Sequence, residues 1–96
     1  MPAYFIVDQL EVTDPDTLKE YAAGVGATVT KYNGKALVRG GDFEVLEGSY
    51  QPRRMVLMEF PDMAALKAWY DSDDYAELKK MRQSSSSSNI VAVEGL

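Results

Sequence analysis

Two short segments of the chain are apolar at both alternating positions, and this pattern restricts the fold more than any other feature. The segment Ala3 to Val7 is an uninterrupted apolar run, and Met55 to Phe60 is apolar except for Glu59. Both runs are rich in residues that favour strands, and continuous apolar character predicts strands that are covered on both faces of a sheet. The first strand pattern continues to Val12. The fold must therefore bury two sheet faces.

Start and stop signals predict two helices between the strands. Asp14-Pro15 is a typical helix beginning, and Asn33-Gly34 follows the last residue of an apolar stripe with helical spacing. Asp62 is the expected cap of the second helix. This helix is interrupted at Asp71 to Asp73, and the helical spacing then resumes as far as Arg82.

Further strand patterns occupy Lys35 to Val38, Phe43 to Leu46 and Ile90 to Val93. Gly40-Gly41 interrupts the second strand, where a β-bulge or a close backbone approach is the usual cause. The serine run Ser84 to Ser88 is expected to form a solvated helix end and a loop that returns to the last strand.

The order of strand, helix, strand, strand, helix, strand predicts an α+β fold in a single domain over residues 1–96. We expect a ferredoxin-like βαββαβ arrangement, in which two helices cover one face of an antiparallel sheet. The other apolar face would then be exposed, which a monomer rarely tolerates. The sequence therefore predicts a homodimer that pairs through its sheet faces.

Composition excludes several classes of function. The chain has neither cysteine nor histidine, so thiolate nucleophiles, Ser-His pairs and metal or haem sites with those ligands are excluded. No cofactor or metal is expected. Ten basic residues face 15 acidic ones, for a net charge of −5, and they do not cluster as nucleic acid or anionic membranes require. No segment has the length of a membrane span, and the absence of a secretory signal pattern favours the cytoplasm.

Two charged residues in apolar strands are candidates for a site. Arg39, beside a glycine pair, could bind a carboxylate or enolate oxygen in two places, or could form an internal ion pair with Glu59. Glu59, in the most apolar strand, could serve as a general base, or could be the structural partner of Arg39, Arg54 or Arg82.

Aromatic and basic residues near the second helix complete the candidate set. Trp69 is expected to fill the core, whereas the hydroxyl of Tyr70 could donate to a ligand oxygen at the mouth of a pocket. Arg82 lies seven residues after Tyr75, on the same helix face. It could extend into the space between helix and sheet, or could interact with the dipole at the helix end.

Several blocks of residues resemble one bacterial family along nearly the whole chain. They are Arg39-Gly40-Gly41, Glu47-Gly48, Arg54, Glu59-Phe60-Pro61, Trp69-Tyr70-Asp71-Ser72 with Tyr75, Arg82 and Val93-Glu94-Gly95. The chain is similar to domain-of-unknown-function family 1330, which resembles the dimeric α+β barrel superfamily. The serine run departs from the alanine-rich and charged residues expected there.

The resemblance implies subunits of ferredoxin-like fold that pair through their sheets, with a pocket between helices and sheet. Pockets of the wider superfamily serve cofactor-free oxygenation or isomerisation of small cyclic or aromatic compounds. Two functions therefore stay open. The first is a cofactor-free enzyme for a small anionic or carbonyl compound, with Arg39 and Arg82 binding the substrate and Glu59 and Tyr70 acting in catalysis. The alternative is a non-catalytic dimeric module that binds a small molecule or another protein.

Overall fold

A four-stranded antiparallel sheet and three helices form the structure, a computed structural model that describes residues 1–96. The elements in chain order are β1 (Ala3–Val12), α1 (Pro15–Lys31), β2 (Lys35–Arg39), β3 (Met55–Phe60), α2 (Met63–Tyr70), α3 (Asp73–Ser85) and β4 (Ser86–Glu94). The strands lie in the order β2-β3-β1-β4. The predicted α+β architecture is confirmed, with the second helix divided into α2 and α3. None of the helices has the length and apolar character that crossing a membrane requires.

The helices begin and end at the residues that the sequence indicates. The Asp14 carboxylate accepts from Thr17 N at 3.2 Å and so satisfies a free donor of the first turn of α1. Asp62 caps α2 by accepting from Ala65 N at 2.7 Å. Ser72 separates the last two helices, because its hydroxyl accepts from Tyr75 N and starts α3. The predicted helix starts at Asp14 and Asp62 and the predicted interruption are therefore confirmed.

Gly34 follows the turn after α1, and glycine is required there because the backbone passes close to an aromatic ring. Asn33 has a φ of 64° and makes the left-handed turn, so Gly34 is not needed for backbone freedom. Instead, a Cβ atom at Gly34 would lie 2.6 Å from Cε1 of Phe60 and 2.7 Å from Cγ1 of Val29. Glycine at this position lets the chain pass directly over a buried ring.

Replacing Gly34 by alanine should destabilise the protein by about 1–3 kcal/mol, because the added methyl group overpacks the core. The matched control is Gly26→Ala in α1, where a Cβ meets no atom within 4 Å. That change should stabilise the helix by about 0.5–1 kcal/mol. Chemical denaturation of both variants measures the two effects. Equal midpoints for Gly34→Ala and the wild type would contradict the packing argument.

All three helices pack on one face of the sheet, which we call the helix face. Buried residues from α1, α2 and α3 join residues of β1 and β3 in one core cluster: Ala3, Phe5, Val7, Val29, Met58, Phe60, Leu66, Trp69 and Tyr75. The molecule measures 37 × 36 × 17 Å, so its short dimension accommodates one sheet and one layer of helices. The core therefore lies between two layers only.

The opposite side of the sheet carries the other alternating residues, and we call it the open face. The register places these central residues on it: Tyr4, Ile6, Asp8, Met55, Leu57, Glu59, Val91 and Val93. No helix covers them, and Val91 and Val93 are 57% and 45% exposed. The expectation that β1 and β3 are apolar on both faces is met, and one of those faces is uncovered in the single subunit.

The serine run does not form the expected loop. Ser84 and Ser85 complete α3, and the strand β4 begins directly at Ser86. The hydroxyls of Ser85 and Ser86 donate to the carbonyls of Met81 and Arg82 in the last turns of α3. The far half of β1 offers a pairing partner, since Val12 lies opposite Ser86. Helix capping and strand pairing together order these serines, and the predicted last strand is longer than expected.

A second prediction is wrong between β2 and β3. Phe43 to Leu46 form no strand, and residues 40–54 instead form an irregular, largely exposed segment, which we call the β2–β3 loop. Asp8 fastens this loop to the open face. Its carboxylate accepts from the Tyr50 hydroxyl and from Arg53 N, the latter at 2.9 Å. These bonds leave Asp8 only 3% exposed.

The attachment of this loop should weaken in acid. The hydrogen bond from Tyr50, with that from Arg53 N, lowers the pKa of Asp8 below its usual value. A carboxyl group whose pKa is lower in the folded state stabilises the fold above its unfolded pKa of about 4, and this stabilisation is lost as the pH falls through the folded pKa. We therefore expect Asp8→Asn to reduce the free energy of unfolding at pH 6 but hardly at pH 2.

Urea denaturation between pH 2 and 7 tests this expectation. In a Tyr50→Phe background the same substitution should cost less at neutral pH, because the main hydrogen-bond donor is already gone. A difference between wild type and Asp8→Asn that is independent of pH would refute the assignment.

Candidate functional site

A cavity of about 400 Å³ lies between α1, the end of α3 and the helix face of the sheet. Its walls are apolar over much of their area, with Phe5, Val7, Val25 and Met58 among the lining residues. Three arginines, Arg39, Arg54 and Arg82, also line it, whereas no aspartate or glutamate does. The cavity is therefore cationic in a protein whose net charge is −5.

A bulge in β2 directs Arg39 into this cavity. Lys35 pairs with Glu59 and Ala36 with Met58, but the register then shifts, and Val38 pairs with Leu57 and Arg39 with Val56. If the same residues alternated regularly, Arg39 would face the same side as Lys35, four residues earlier. The bulge moves it to the helix face. The predicted irregularity thus lies before Arg39 rather than at Gly40-Gly41.

Glycine at position 40 makes room for a second arginine. Gly40 has a φ of 69°, and a Cβ there would lie 2.6 Å from Nε of Arg54 and 2.9 Å from Cζ. The guanidinium that rests beside the glycine backbone is therefore that of Arg54, which precedes β3. Gly40 N donates to the carbonyl of Met55 at 2.8 Å and holds the two chain segments together.

Arg82 is buried without a carboxylate partner. It is 8% exposed, and its Nε donates to the hydroxyl of Tyr75 at 3.2 Å. It forms no salt bridge, and no protein acceptor binds its Nη atoms. Its Nη atoms are not shut off from solvent, so the guanidinium is available to an anion that enters the cavity. The predicted placement of Arg82 between helix and sheet agrees with this geometry.

Two tyrosines extend from Arg82 into the cavity wall. The hydroxyls of Tyr75 and Tyr21 lie 2.9 Å apart. Tyr75 is fully buried, and Tyr21 is its only hydroxyl-proton acceptor, because Arg82 can only donate. The consistent direction is therefore from Arg82 to Tyr75 and from Tyr75 to Tyr21. This leaves the hydroxyl proton of Tyr21 free to donate to a ligand in the cavity that Tyr21 lines.

The protonation states agree with this direction. Burial, reinforced by the neighbouring Tyr75 hydroxyl, raises the pKa of Tyr21 far above its usual value, so Tyr21 is a neutral donor. Burial alone would lower the pKa of Arg82, but the hydroxyls of Tyr75 and Tyr21 outweigh it and raise that pKa. The cavity therefore presents a permanent cation and a neutral hydroxyl at neighbouring positions.

The structure brings two of the four predicted site residues together and separates the other two from them. Arg39 and Arg82 line the same cavity. Glu59 lies on the open face, where its carboxylate pairs with Nζ of Lys35 at 3.3 Å. Tyr70 packs among the core aromatic rings, 5.8 Å from Phe5 between centroids, with Nζ of Lys79 4.2 Å from its ring centroid. The catalytic roles of Glu59 and Tyr70 stay predictions, and neither residue lines the cavity.

Sequence reasoning missed three polar groups of the cavity. Tyr21 is hidden in the apolar stripe of α1, and Ser88 in the serine run. Arg54 was considered only as a partner of Glu59. Side chains alternate between the two faces along a strand, so extending the predicted last strand backwards could have identified Ser88 as a residue of the helix face. In the structure Ser88 pairs directly with Gln9 of β1. No cluster of acidic side chains in the structure could hold a metal ion.

Comparison with known proteins places the whole chain in one family profile. The profile, described as "Domain of unknown function (DUF1330)", matches residues 2–96. No curated protein matches the chain.

Solved structures resemble the fold over the full length. A protein of unknown function from Rhodopseudomonas palustris has a TM-score of 0.77 at 18% identity, covering 99% of this chain and 82% of that one. A dimeric ferredoxin-like protein of unknown function from Jannaschia sp. has a TM-score of 0.71 at 17% identity, with coverage of 99% and 100%. An antibiotic biosynthesis monooxygenase is more distant, with a TM-score of 0.53 at 14% identity and coverage of 100% and 99%. These likenesses confirm the predicted ferredoxin-like fold.

Proposed function

This chain belongs to the DUF1330 family, a domain of unknown function, and from this premise we propose that it is a homodimeric protein that binds a small anionic molecule in the cavity of each subunit. Arg39 and Arg82, with Arg54, bind the anion. The apolar walls of Phe5 and Val25 exclude water around it.

One observation carries this proposal, namely three arginines in a cavity without any acidic residue. Arg39, Arg54 and Arg82 form no salt bridges within the protein, although acidic residues outnumber basic ones by 15 to 10. Arg82 is buried, whereas Arg39 and Arg54 are exposed side chains at the cavity wall. Like charges that line one cavity repel one another, and a bound oxyanion relieves this repulsion through charge-assisted hydrogen bonds. The volume of about 400 Å³ lies in the lower part of the range for ligand pockets, roughly 300–1,000 Å³. A small anion is the ligand that fits both features.

Pairing through the open face supports the dimer in this proposal. On the open face one apolar row crosses all four strands, because Val91, Ile6, Leu57 and Val38 lie opposite one another in turn, and Val91 and Val38 are exposed. Phe43 and Leu46 of the β2–β3 loop are exposed as well. A patch of this kind marks a protein contact more often than a solvated surface. The ferredoxin-like protein from Jannaschia is itself dimeric. With the open faces paired, the helix face of each subunit keeps its own cavity.

The geometry favours binding over catalysis in this cavity. A general base must lie within hydrogen-bond reach of the proton that it removes. Glu59 lies on the opposite side of the sheet, and its carboxylate is paired with Lys35. The cofactor-free enzyme that the resemblance implies would need a different base, since Tyr21 is a neutral donor.

Removing the charge of Arg82 tests the proposal. We expect Arg82→Gln to weaken the binding of small anions such as acetate, benzoate and phosphate about tenfold or more, because a charged hydrogen-bond donor is lost from a buried site. NMR titration in low salt measures the affinities. The matched control Arg53→Gln removes the same charge from an exposed side chain outside the cavity. Glu59→Gln should likewise leave the affinity unchanged.

Two results would overturn the proposal. One is that no anion of the panel binds the wild type with saturation in the millimolar range or below. The other is that Arg53→Gln and Arg82→Gln weaken binding equally, which would indicate a diffuse surface effect.

A further inference from the structure

The cavity has a polar end and an apolar end, and the strand register shows which is which. On the helix face, Ser88 of β4, Gln9 of β1 and the adjoining Arg54 lie in one row across the sheet, because Gln9 pairs with Ser88 and Gln9 N donates to the Arg54 carbonyl. Two rows further along, Phe5 lies opposite Met58. All five residues line the cavity. One group of polar side chains, formed by Ser88, Gln9 and Arg54, therefore lies at one end of it.

Arg82 and Tyr21 belong to the polar end. The helix α3 ends at Ser85 and β4 begins at Ser86, so Arg82 lies above the part of the sheet where Ser88 is found. The tyrosine pair connects Arg82 to Tyr21, whose free proton faces the cavity. Toward the other end the lining is mainly apolar, with Val25 and Val29 of α1 and Phe5 and Met58 of the sheet, although Thr30 and Lys35 also line the cavity there.

The polar end also leads to the surface. A shallower depression of about 310 Å³ adjoins the cavity and shares Gln9, Tyr21, Ala22 and Arg54 with it. Its outer wall includes Leu18 and Lys19 near the start of α1. If a ligand enters from this side, the end of the ligand that enters last comes to lie among the polar groups.

The hydroxyl of Ser88 is a binding group without a partner. Its Oγ is shielded from solvent and forms no hydrogen bond with the protein. A buried hydroxyl that stays unpaired is unfavourable, and native proteins rarely retain one without a reason. Because the Oγ atom is shielded, the Ser88 side chain must rotate about its Cα–Cβ bond to donate to an oxyanion held by Arg54 and Arg82, and this bond would remove the cost.

We propose that the ligand is an amphipathic acid, whose oxyanion head binds at Arg39, Arg54, Arg82, Ser88 and Tyr21 while its apolar body packs between α1 and the Phe5–Met58 row. This inference rests on the proposed function, since it assigns the class and orientation of the ligand of the same cavity. Carboxylates and phosphate monoesters share the required head chemistry. The body must be small, because the cavity lies in the lower part of the usual volume range.

A homologous series of acids tests the two ends separately. NMR titration with acetate, butanoate and hexanoate should show an affinity that rises about threefold to fourfold per added methylene, until the cavity is filled. Hexanamide, which has the same shape without charge, should bind at least about tenfold more weakly than hexanoate. Hexyl phosphate in place of hexanoate distinguishes a phosphate head from a carboxylate head, and a preference for either one supports the proposed orientation.

Two variants test which residues form the polar end and the apolar end of the cavity. Ser88→Ala should weaken acetate and hexanoate by the same factor, about threefold to tenfold, because both lose a contact to the head. Val25→Thr keeps the shape of the wall but makes it polar, so it should reduce the gain per methylene and leave acetate unchanged. Circular dichroism spectra check that both variants fold.

The outcomes separate this inference from the proposed function. If acetate, hexanoate and inorganic phosphate bind equally well and all depend on Arg82, the anion site stands and the amphipathic ligand is overturned. If Ser88→Ala has no effect on any acid, the orientation is overturned. If none of the acids binds, both proposals fail.

Discussion

Replacement of Trp69 by alanine should destabilise the protein by about 3–5 kcal/mol, more than any other single truncation of the core. Trp69 is fully buried, and its ring contacts four other aromatic rings, with a centroid distance of 5.0 Å to Phe5 and 4.2 Å to Tyr75. Its indole N–H donates to Oγ1 of Thr28 at 3.0 Å and thereby joins α2 to α1. Alanine leaves a large void and one polar group without its partner.

The size of this effect decides how the protein responds to heat. Domains of this length have total stabilities of roughly 5–15 kcal/mol, and 1 kcal/mol shifts the melting temperature by about 4–8 °C. We therefore expect Trp69→Ala to melt at least about 12 °C lower, or to be unfolded at 37 °C. Circular dichroism is the suitable probe, because the chain has a single tryptophan and the variant loses it.

A milder substitution separates volume from hydrogen bonding. Trp69→Phe retains an aromatic ring in the cluster but loses the bond to Thr28, so it should cost clearly less than alanine. Equal losses for the two variants would show that the ring contacts contribute little, contrary to the packing described here.

A charge on the open face should dissociate the proposed dimer. Val91→Glu places a carboxylate on a residue that is 57% exposed in one subunit and faces away from the helices. In a symmetric pair the charge is introduced twice, and burying an unpaired carboxylate costs several kcal/mol. We expect the dissociation constant to rise by at least about a thousandfold, so that the variant is monomeric at micromolar concentration.

Analytical ultracentrifugation of wild type and variant gives the masses directly. The control Gln83→Glu adds the same charge to an exposed residue of α3 and should stay dimeric. A wild type that sediments as a single chain of 10.6 kDa would remove the dimer from the proposed function. The anion site within each subunit could still be tested by itself.

The start of each helix and the separation of α2 from α3 were predictable, because caps and breakers act locally. Asp14 and Asp62 make the expected capping bonds within three residues, and Ser72, which lies in the predicted interruption, caps α3 in the same way. The strand predicted at Phe43 to Leu46 is absent, because an alternating pattern by itself does not provide a neighbouring strand with which to pair. The loop predicted for the serine run is instead part of a strand. Its composition is typical of loops, but the long β1 offers a partner for pairing.

The candidate site was predictable only in part, because it depends on contacts across the sheet. Arg82 could be placed from its helical spacing to Tyr75. The separation of Arg39 from Glu59 could not be foreseen, since both alternating sets of β3 are apolar and neither set indicates which face meets the helices. Tyr21 became a candidate only when the hydroxyl of Tyr75 was found 2.9 Å away.

The bulge in β2 lets the strand absorb a change of one residue in chain length without turning Arg39 over. Loss of Leu37 from the bulged stretch Ala36–Val38 would restore regular pairing, with Val38 still opposite Leu57 and Arg39 still opposite Val56. Regular pairing of the strand at its full length would instead bring Arg39 opposite Met55 and rotate it to the open face. A single-codon deletion here would thus preserve the orientation of Arg39, whereas a slip in strand register would reverse it.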